Sequence, residues 1–227
     1  MPKTLAARTG LALCLALLFG APPAGARSWD DFTPREPSLK QPGHWEWAWD
    51  GSGGLGISVF STVHYRPGGP ARISISGPEK LLEQLRVGQG EIRWCEDCHI
   101  DGGKLDITVS GVPLRNVALR GSGSEVALGR LNQDRLNLAI AGTGLVSAEG
   151  RIDRVELAIA GSGTVRMGEA LVQRADIHIS GSGNADLTPR DIANVSVSGS
   201  GTVHMTVKPE HLNQMVNGSG GVRFAGN

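Results

Sequence analysis

The stretch Glu156-Leu157-Ala158-Ile159-Ala160-Gly161-Ser162-Gly163-Thr164-Val165-Arg166-Met167 contains the unit on which the reading of this chain rests. Aliphatic residues alternate with small or polar ones on both sides of a Gly-Ser-Gly triplet, the period-two pattern of a strand with one buried face. The triplet recurs as Gly121-Ser122-Gly123, Gly142-Thr143-Gly144, Gly161-Ser162-Gly163, Gly181-Ser182-Gly183, Gly199-Ser200-Gly201 and Gly218-Ser219-Gly220. The steps between copies are 21, 19, 20, 18 and 19 residues. A period near twenty marks a solenoid, in which each unit buries its apolar side only against its neighbours. The pattern predicts an all-β, right-handed parallel β-helix with stacked Gly-Ser-Gly corners, the hand following from the crossover rule.

Two and four residues before each first glycine stand Leu119/Val117, Ile140/Leu138, Ile159/Leu157, Ile179/Ile177, Val197/Val195 and Val216/Gln214. Between them lie Ala118, Ala139, Ala158, His178 and Ser196, which form a flat small-residue outer face. After the triplet, Val146/Ala148, Val165/Met167, Ala185/Leu187, Val203/Met205 and Val222/Phe224 resume the inward set. Glycine suits the corner because it takes positive φ and lets rungs ~4.8 Å apart stack without a Cβ between them. The middle hydroxyl of each triplet predicts a hydroxyl ladder along one edge. Glu125 breaks the pattern after the first triplet, which predicts a bulge there. A phosphate-cradling loop is disfavoured, because strands and not a helix follow the glycines.

The 22 basic and 22 acidic residues cancel, leaving no basic footprint for nucleic acid. Residues 1–26 read as a secretory signal peptide: Lys3 and Arg8, an apolar run over 11–21, then Ala24-Gly25-Ala26. Cys14 falls inside that run, which speaks against a lipidated cysteine. No later segment is long and apolar enough for a membrane span, so export to the periplasm or the outer, extracellular face is expected. Residues 27–43, with Pro34, Pro37 and Pro42, read as an exposed linker. Residues 44–114 form a modified, strand-rich N-terminal part, and 115–227 the six repeats of the same domain. Within the first part, strands are predicted at 45–49, 56–65, 71–76, 91–94 and 104–110, with one short helix over 78–85.

Three constellations could carry chemistry. In Cys95-Glu96-Asp97-Cys98-His99, the oxidising compartment favours a Cys95–Cys98 disulfide on a hairpin loop. The same five residues also match the attachment sequence for c-type haem, which leaves a haem or redox protein through Cys95, Cys98 and His99 as an alternative, with metal binding or free thiols as further readings. A polar column, five residues before each triplet, comprises Asn116, Asn137, Glu156, Asp176, Asn194 and Asn213. It reads as an amide ladder, with Glu156 and Asp176 as candidate Ca²⁺ ligands because like charges one rung apart invite a cation. Finally, alternation places Trp45, Trp47 and Trp49 on one face, where they either seal the core or stack on a sugar or peptide.

Leu119-Arg120-Gly121-Ser122-Gly123, Ile159-Ala160-Gly161-Ser162-Gly163 and Val197-Ser198-Gly199-Ser200-Gly201 make the chain resemble the GIN domain. So does the upstream Ile73-Ser74-Ile75-Ser76-Gly77-Pro78-Glu79-Lys80-Leu81-Leu82. That bacterial envelope family is described as a putative autotransporter adhesin head domain, and the match runs over 51–227. The resemblance implies a β-helix-like fold of undetermined function and supplies no catalytic residues or cofactor. No membrane-barrel strands follow the sixth unit, so self-export is not expected. His178 and His204 fall in different units and no nucleophile–base–acid set forms. The expectation is a non-enzymatic binding or structural module of the cell envelope, or else a surface adhesin for carbohydrate or protein. The terminal rung, without an evident cap, predicts self-association.

Overall fold

In the computed structural model, residues 32–49, 54–100 and 102–225 are described. The signal reading over 1–26 and an isolated Gly51-Ser52-Gly53 lie outside them. Thr33–Asn227 form one compact unit. Its strands are β1 (Leu39–Gln41), β2 (His44–Ala48), β3 (Gly54–Ile57), β4 (Ser61–Ser76), β5 (Leu85–Gly88) and β6 (Glu91–Trp94). Then follow β7 (Leu105–Gly111), β8 (Asn116–Gly161), β9 (Thr164–Gly181), β10 (Asn184–Gly199), β11 (Thr202–Met205), β12 (His211–Gly218) and β13 (Gly221–Phe224).

The repeats stack as a β-solenoid of about four turns. Pairing is parallel and in register: Leu157 lies against Ile177 and Ile159 against Ile179, then Ile177 against Val195 and Val195 against Gln214. The corners fall one on another. A Cβ on Gly142 would meet the Gly121 carbonyl, one on Gly161 that of Gly142, and one on Gly181 that of Gly161. The contact repeats from Gly199 to Gly181 and from Gly218 to Gly199. These glycines hold φ of +119 to +127°, a region that side chains disfavour.

The bonds across the corners are made by the main chain. Ser162 N–H donates to the Gly142 carbonyl (3.0 Å), Ser182 N–H to that of Gly161 (2.9 Å) and Ser200 N–H to that of Gly181 (2.9 Å). The hydroxyl-bearing residues Ser162, Ser182 and Ser200 are exposed, so the predicted hydroxyl ladder gives way to a peptide ladder. The first corner carries the irregularity that Glu125 signalled. Ser124 is inserted, buried to 4% exposure, and Gly144 stacks on its carbonyl side. Its hydroxyl donates to the Val59 carbonyl (2.7 Å), and the buried Ser61 hydroxyl donates to the same oxygen (3.2 Å). One inserted residue thereby restores the inward register at Val126 and Leu128, both buried.

Inward residues of both arms join one core cluster that runs from Trp45 to Met205. Each large aliphatic side chain in it contributes ~1.5–3 kcal/mol of burial. The N-terminal part extends the same stack. β3 and the start of β4 lie under β8, pairing Leu55 with Val117 and Val63 with Val126. β4 then folds back through Pro67-Gly68-Gly69-Pro70 and flanks β7 on both sides: Ser61 pairs with Leu105, and Ser76 with Asp106. Antiparallel β2 and β1 complete that side.

Several local predictions change. The segment over 56–65 is two strands, broken at Ser58 to Phe60, where the Val59 carbonyl is capped. The helix is confined to α1 (Glu79–Leu82), because Leu85 pairs with Trp94 as part of β5. Part of the expected linker is ordered: β1 pairs with β2, and Arg35 N–H donates to the Val87 carbonyl (2.8 Å). Gly88 leaves the space through which Thr33 passes.

Candidate binding surface

The three tryptophans are part of the core. Trp45, Trp47 and Trp49 are 5%, 3% and 5% exposed, with Trp49 just beyond the end of β2. The Trp47 indole N–H donates to the Arg35 carbonyl (3.0 Å), and the Lys40 ammonium lies 3.9 Å from the centre of the Trp45 ring. All three rings are buried, so the ligand-stacking reading is corrected to a strand that closes the core.

The opposite face of β2 carries a network that the sequence reading missed. His44 Nδ1 lies 2.8 Å from Ser76 Oγ, and His44 Nε2 lies 3.3 Å from Glu46 Oε1. Arg72 approaches Glu46 at 3.0 Å. The His44 hydrogen bond, helped by Arg72 and opposed by desolvation, holds the Glu46 carboxyl below the usual glutamate range. Connectivity alone suggests a serine–histidine–carboxylate relay. The neighbouring glycine N–H groups are committed, however: Gly43 donates to Glu79 and Gly77 to the Gly43 carbonyl. They are not available to stabilise an oxyanion, and the network reads as a clasp between β2 and β4.

Cys95 and Cys98 form a disulfide, with Cα atoms 5.4 Å apart. It consumes both sulfurs that c-type haem attachment requires, and the haem reading through Cys95, Cys98 and His99 falls. The loop is also not a hairpin: β6 pairs with β3 and β5, and β7 pairs with β4.

The polar column forms as spaced. The Asn137 side-chain amide donates to Asn116 Oδ1 (2.8 Å), Asn194 to Asp176 Oδ1 (2.7 Å) and Asn213 to Asn194 Oδ1 (2.9 Å). Glu156 and Asp176 are neighbours in the register. The cation between them belongs to the chain: Arg154 approaches Glu156 at 3.3 Å and donates to Asp176 at 2.7 Å. Arg154 was the missed residue, although its position two residues before Glu156 places it on the same outer side. A second pair, Arg120 with Glu91 at 3.2 Å, lies beside Gly56, where a Cβ would make ordinary contacts with both side chains. Burial draws the Arg120 guanidinium below the usual arginine range, and Glu91 acts in the opposite direction.

The flat small-residue face is less open than predicted. Ala139 and Ala158 lie outside the core cluster yet are buried, and Ala118 and Ser196 are half-buried. Exposure is concentrated toward the C-terminal rungs, at His178, Ser180, Ser198 and Met215. On this arm of the stack, the candidate contact surface is therefore the polar column together with that end of the face.

Residues 99–209 match the family model described as "Putative auto-transporter adhesin, head GIN domain". Over that stretch the chain matches the GIN domain. The matched segment spans β7 to β11 and so holds five of the six corners, whereas the resemblance read from the sequence ran over 51–227. Among solved structures, a putative adhesin from Bacteroides fragilis NCTC 9343 aligns with a TM-score of 0.64. The two share 16% identity over 80% of this chain and 95% of that one, a likeness of fold. A putative lipid binding protein from Parabacteroides distasonis ATCC 8503 aligns at 0.49, with 16% identity over 80% and 96% of the two chains. A putative adhesin from Parabacteroides merdae ATCC 43184 gives 0.47, with 16% identity over 80% and 95%. No curated protein matches the sequence. Among the described residues, no helix is long and apolar enough to cross a membrane.

Proposed function

We propose that this domain is a non-enzymatic binding module of an exported cell-envelope protein. Its polar column is the contact surface for an envelope protein or glycan. The observation that carries this reading is the locked geometry of the column. Amides at Asn137, Asn194 and Asn213 are tied rung to rung at 2.7–2.9 Å, so donors and acceptors repeat at the rung spacing. A ligand meeting such an array loses little to ordering of the protein, the main benefit of preorganisation. An extended polymer matches it better than a compact substrate does. The signal-like residues 1–26 support export, and the family description supports an adhesin role at the surface as the second reading.

Two measurements test this. Purified domain is passed over immobilised bacterial and host polysaccharides and envelope proteins, beside an Asn194→Lys variant that puts a bulky cation on the column. Retention of the parent and its loss in the variant are expected, while equal retention of both would remove the column from the account. Protease treatment of intact cells then separates the locations. Cleavage without permeabilisation marks a surface adhesin, and protection until the outer membrane is opened marks a periplasmic module.

A further inference from the structure

The two ends of the stack are finished differently. At the N-terminal end the free edges are guarded: β1 carries Lys40 and lies between Pro37 and Pro42, and the chain around Arg35 covers β5 through the Val87 carbonyl. Charges, prolines and covering segments are the usual means of keeping an edge strand from pairing. At the other end, among the described residues, β12 pairs only with β10, and β13 only with β11. β12 reads His211-Leu212-Asn213-Gln214-Met215-Val216-Asn217-Gly218, with no Lys, Arg, Asp, Glu or Pro. Met215 is 65% exposed, and Val216, whose counterpart Val197 is 1% exposed one rung below, is 37% exposed.

We infer that two copies of this chain pair through β12, antiparallel, about a two-fold axis at Met215. This inference does not depend on the column's ligand. In a two-fold antiparallel pair, opposed residues must point to the same face. Asn213, Met215 and Asn217 continue the outward positions of Asn194, Ser196 and Ser198, whereas Gln214 and Val216 continue the inward Val195 and Val197. With Met215 on the axis, Met215 meets its own copy, Asn213 meets Asn217 twice, and Gln214 meets Val216. Amide faces amide, thioether faces thioether, and no like charges oppose each other along the strand. Gln214 is the one polar member of an otherwise aliphatic inward column, and in this pairing it lies at the joint between two cores. Because the N-terminal end is guarded, addition stops at two copies.

The contact is small. A strand of this length spans ~26 Å and the solenoid is ~10 Å thick, so about 500–600 Å² is covered in total, below the ~1,200 Å² of lasting complexes. The dimer therefore rests on ladder hydrogen bonds and forms at micromolar or higher concentration.

Sedimentation of the purified chain from about 1 to 500 µM should show a monomer–dimer equilibrium with no larger species. Met215→Lys, at an exposed position, should weaken it at least tenfold and leave the melting temperature of dilute protein unchanged. Met215→Cys should form a disulfide-linked dimer under mild oxidation. Asn213→Cys alone should not, but should cross-link when mixed with Asn217→Cys. A monomer throughout, an equilibrium indifferent to Met215→Lys, growth beyond two, or self-linking by Asn213→Cys in place of Met215→Cys would each overturn the proposal.

Discussion

At Gly181, φ is +123° and a Cβ would fall 2.5 Å from the Gly161 carbonyl oxygen. Neither the conformation nor the contact can relax without separating two rungs. Gly181→Ala should cost at least ~2 kcal/mol, since a backbone region closed to side chains and a main-chain clash act together. Gly129 supplies the contrast, because it has no positive φ and a Cβ there meets nothing within 4 Å. Gly129→Ala should be neutral or gain ~0.5 kcal/mol through the unfolded state. Urea unfolding of the two variants side by side reads the difference. The sequence singled out the corner glycines because they recur, whereas the need for Gly88 came from a single contact with Thr33. Contacts that occur once leave no period to read.

Arg154 makes the same point for charge. The column was legible from spacing, but its counter-ion was not, because spacing puts Arg154 on the outer side without showing which carboxylates it reaches. Arg154→Gln should cost about 0.5–1 kcal/mol, the low range because Arg154 is 44% exposed, and the loss should grow as salt is removed. The parent should melt at the same temperature with millimolar Ca²⁺ or with EDTA. A Ca²⁺-dependent rise in the parent would return Glu156 and Asp176 to the role of metal ligands.

Among elements, β2 shows where alternation informs and where it stops. Period two placed the three indoles on one face; their burial was decided by β1, β4 and the chain around Arg35, which no local pattern announces. The outer side of β2 yields a pH prediction. The folded state depresses the Glu46 carboxyl, chiefly through His44, so its contribution is complete above the ordinary value of 4.5. It is lost as pH falls through the lower folded value. Melting temperature measured from pH 7 to pH 3 should fall less steeply below about 4.5 in Glu46→Gln than in the parent. Parallel curves would mean that the clasp does not stabilise the fold. The loop after β6 had the opposite outcome: the oxidising compartment pointed to the Cys95–Cys98 disulfide, but local order suggested a hairpin that the parallel topology does not make.

For the whole molecule, repetition did most of the work. Six triplets at nearly constant spacing specify a stack, its inward columns and its corners. The N-terminal part was harder because β4 reverses around β7 and mixes parallel with antiparallel pairing, which erases any single period. In a solenoid each rung contacts only its neighbours, so the polar column and the C-terminal edge both depend on the corners being in register. Cysteine pairs at the middle corner positions test that register directly. With rungs ~4.8 Å apart, neighbouring corners lie within disulfide reach and alternate corners, at ~9.6 Å, do not. Ser162→Cys with Ser182→Cys, and Ser182→Cys with Ser200→Cys, should cross-link within each chain under mild oxidation, whereas Ser162→Cys with Ser200→Cys should not. Equal cross-linking of all three pairs, or of none, would contradict the stacked-corner solenoid.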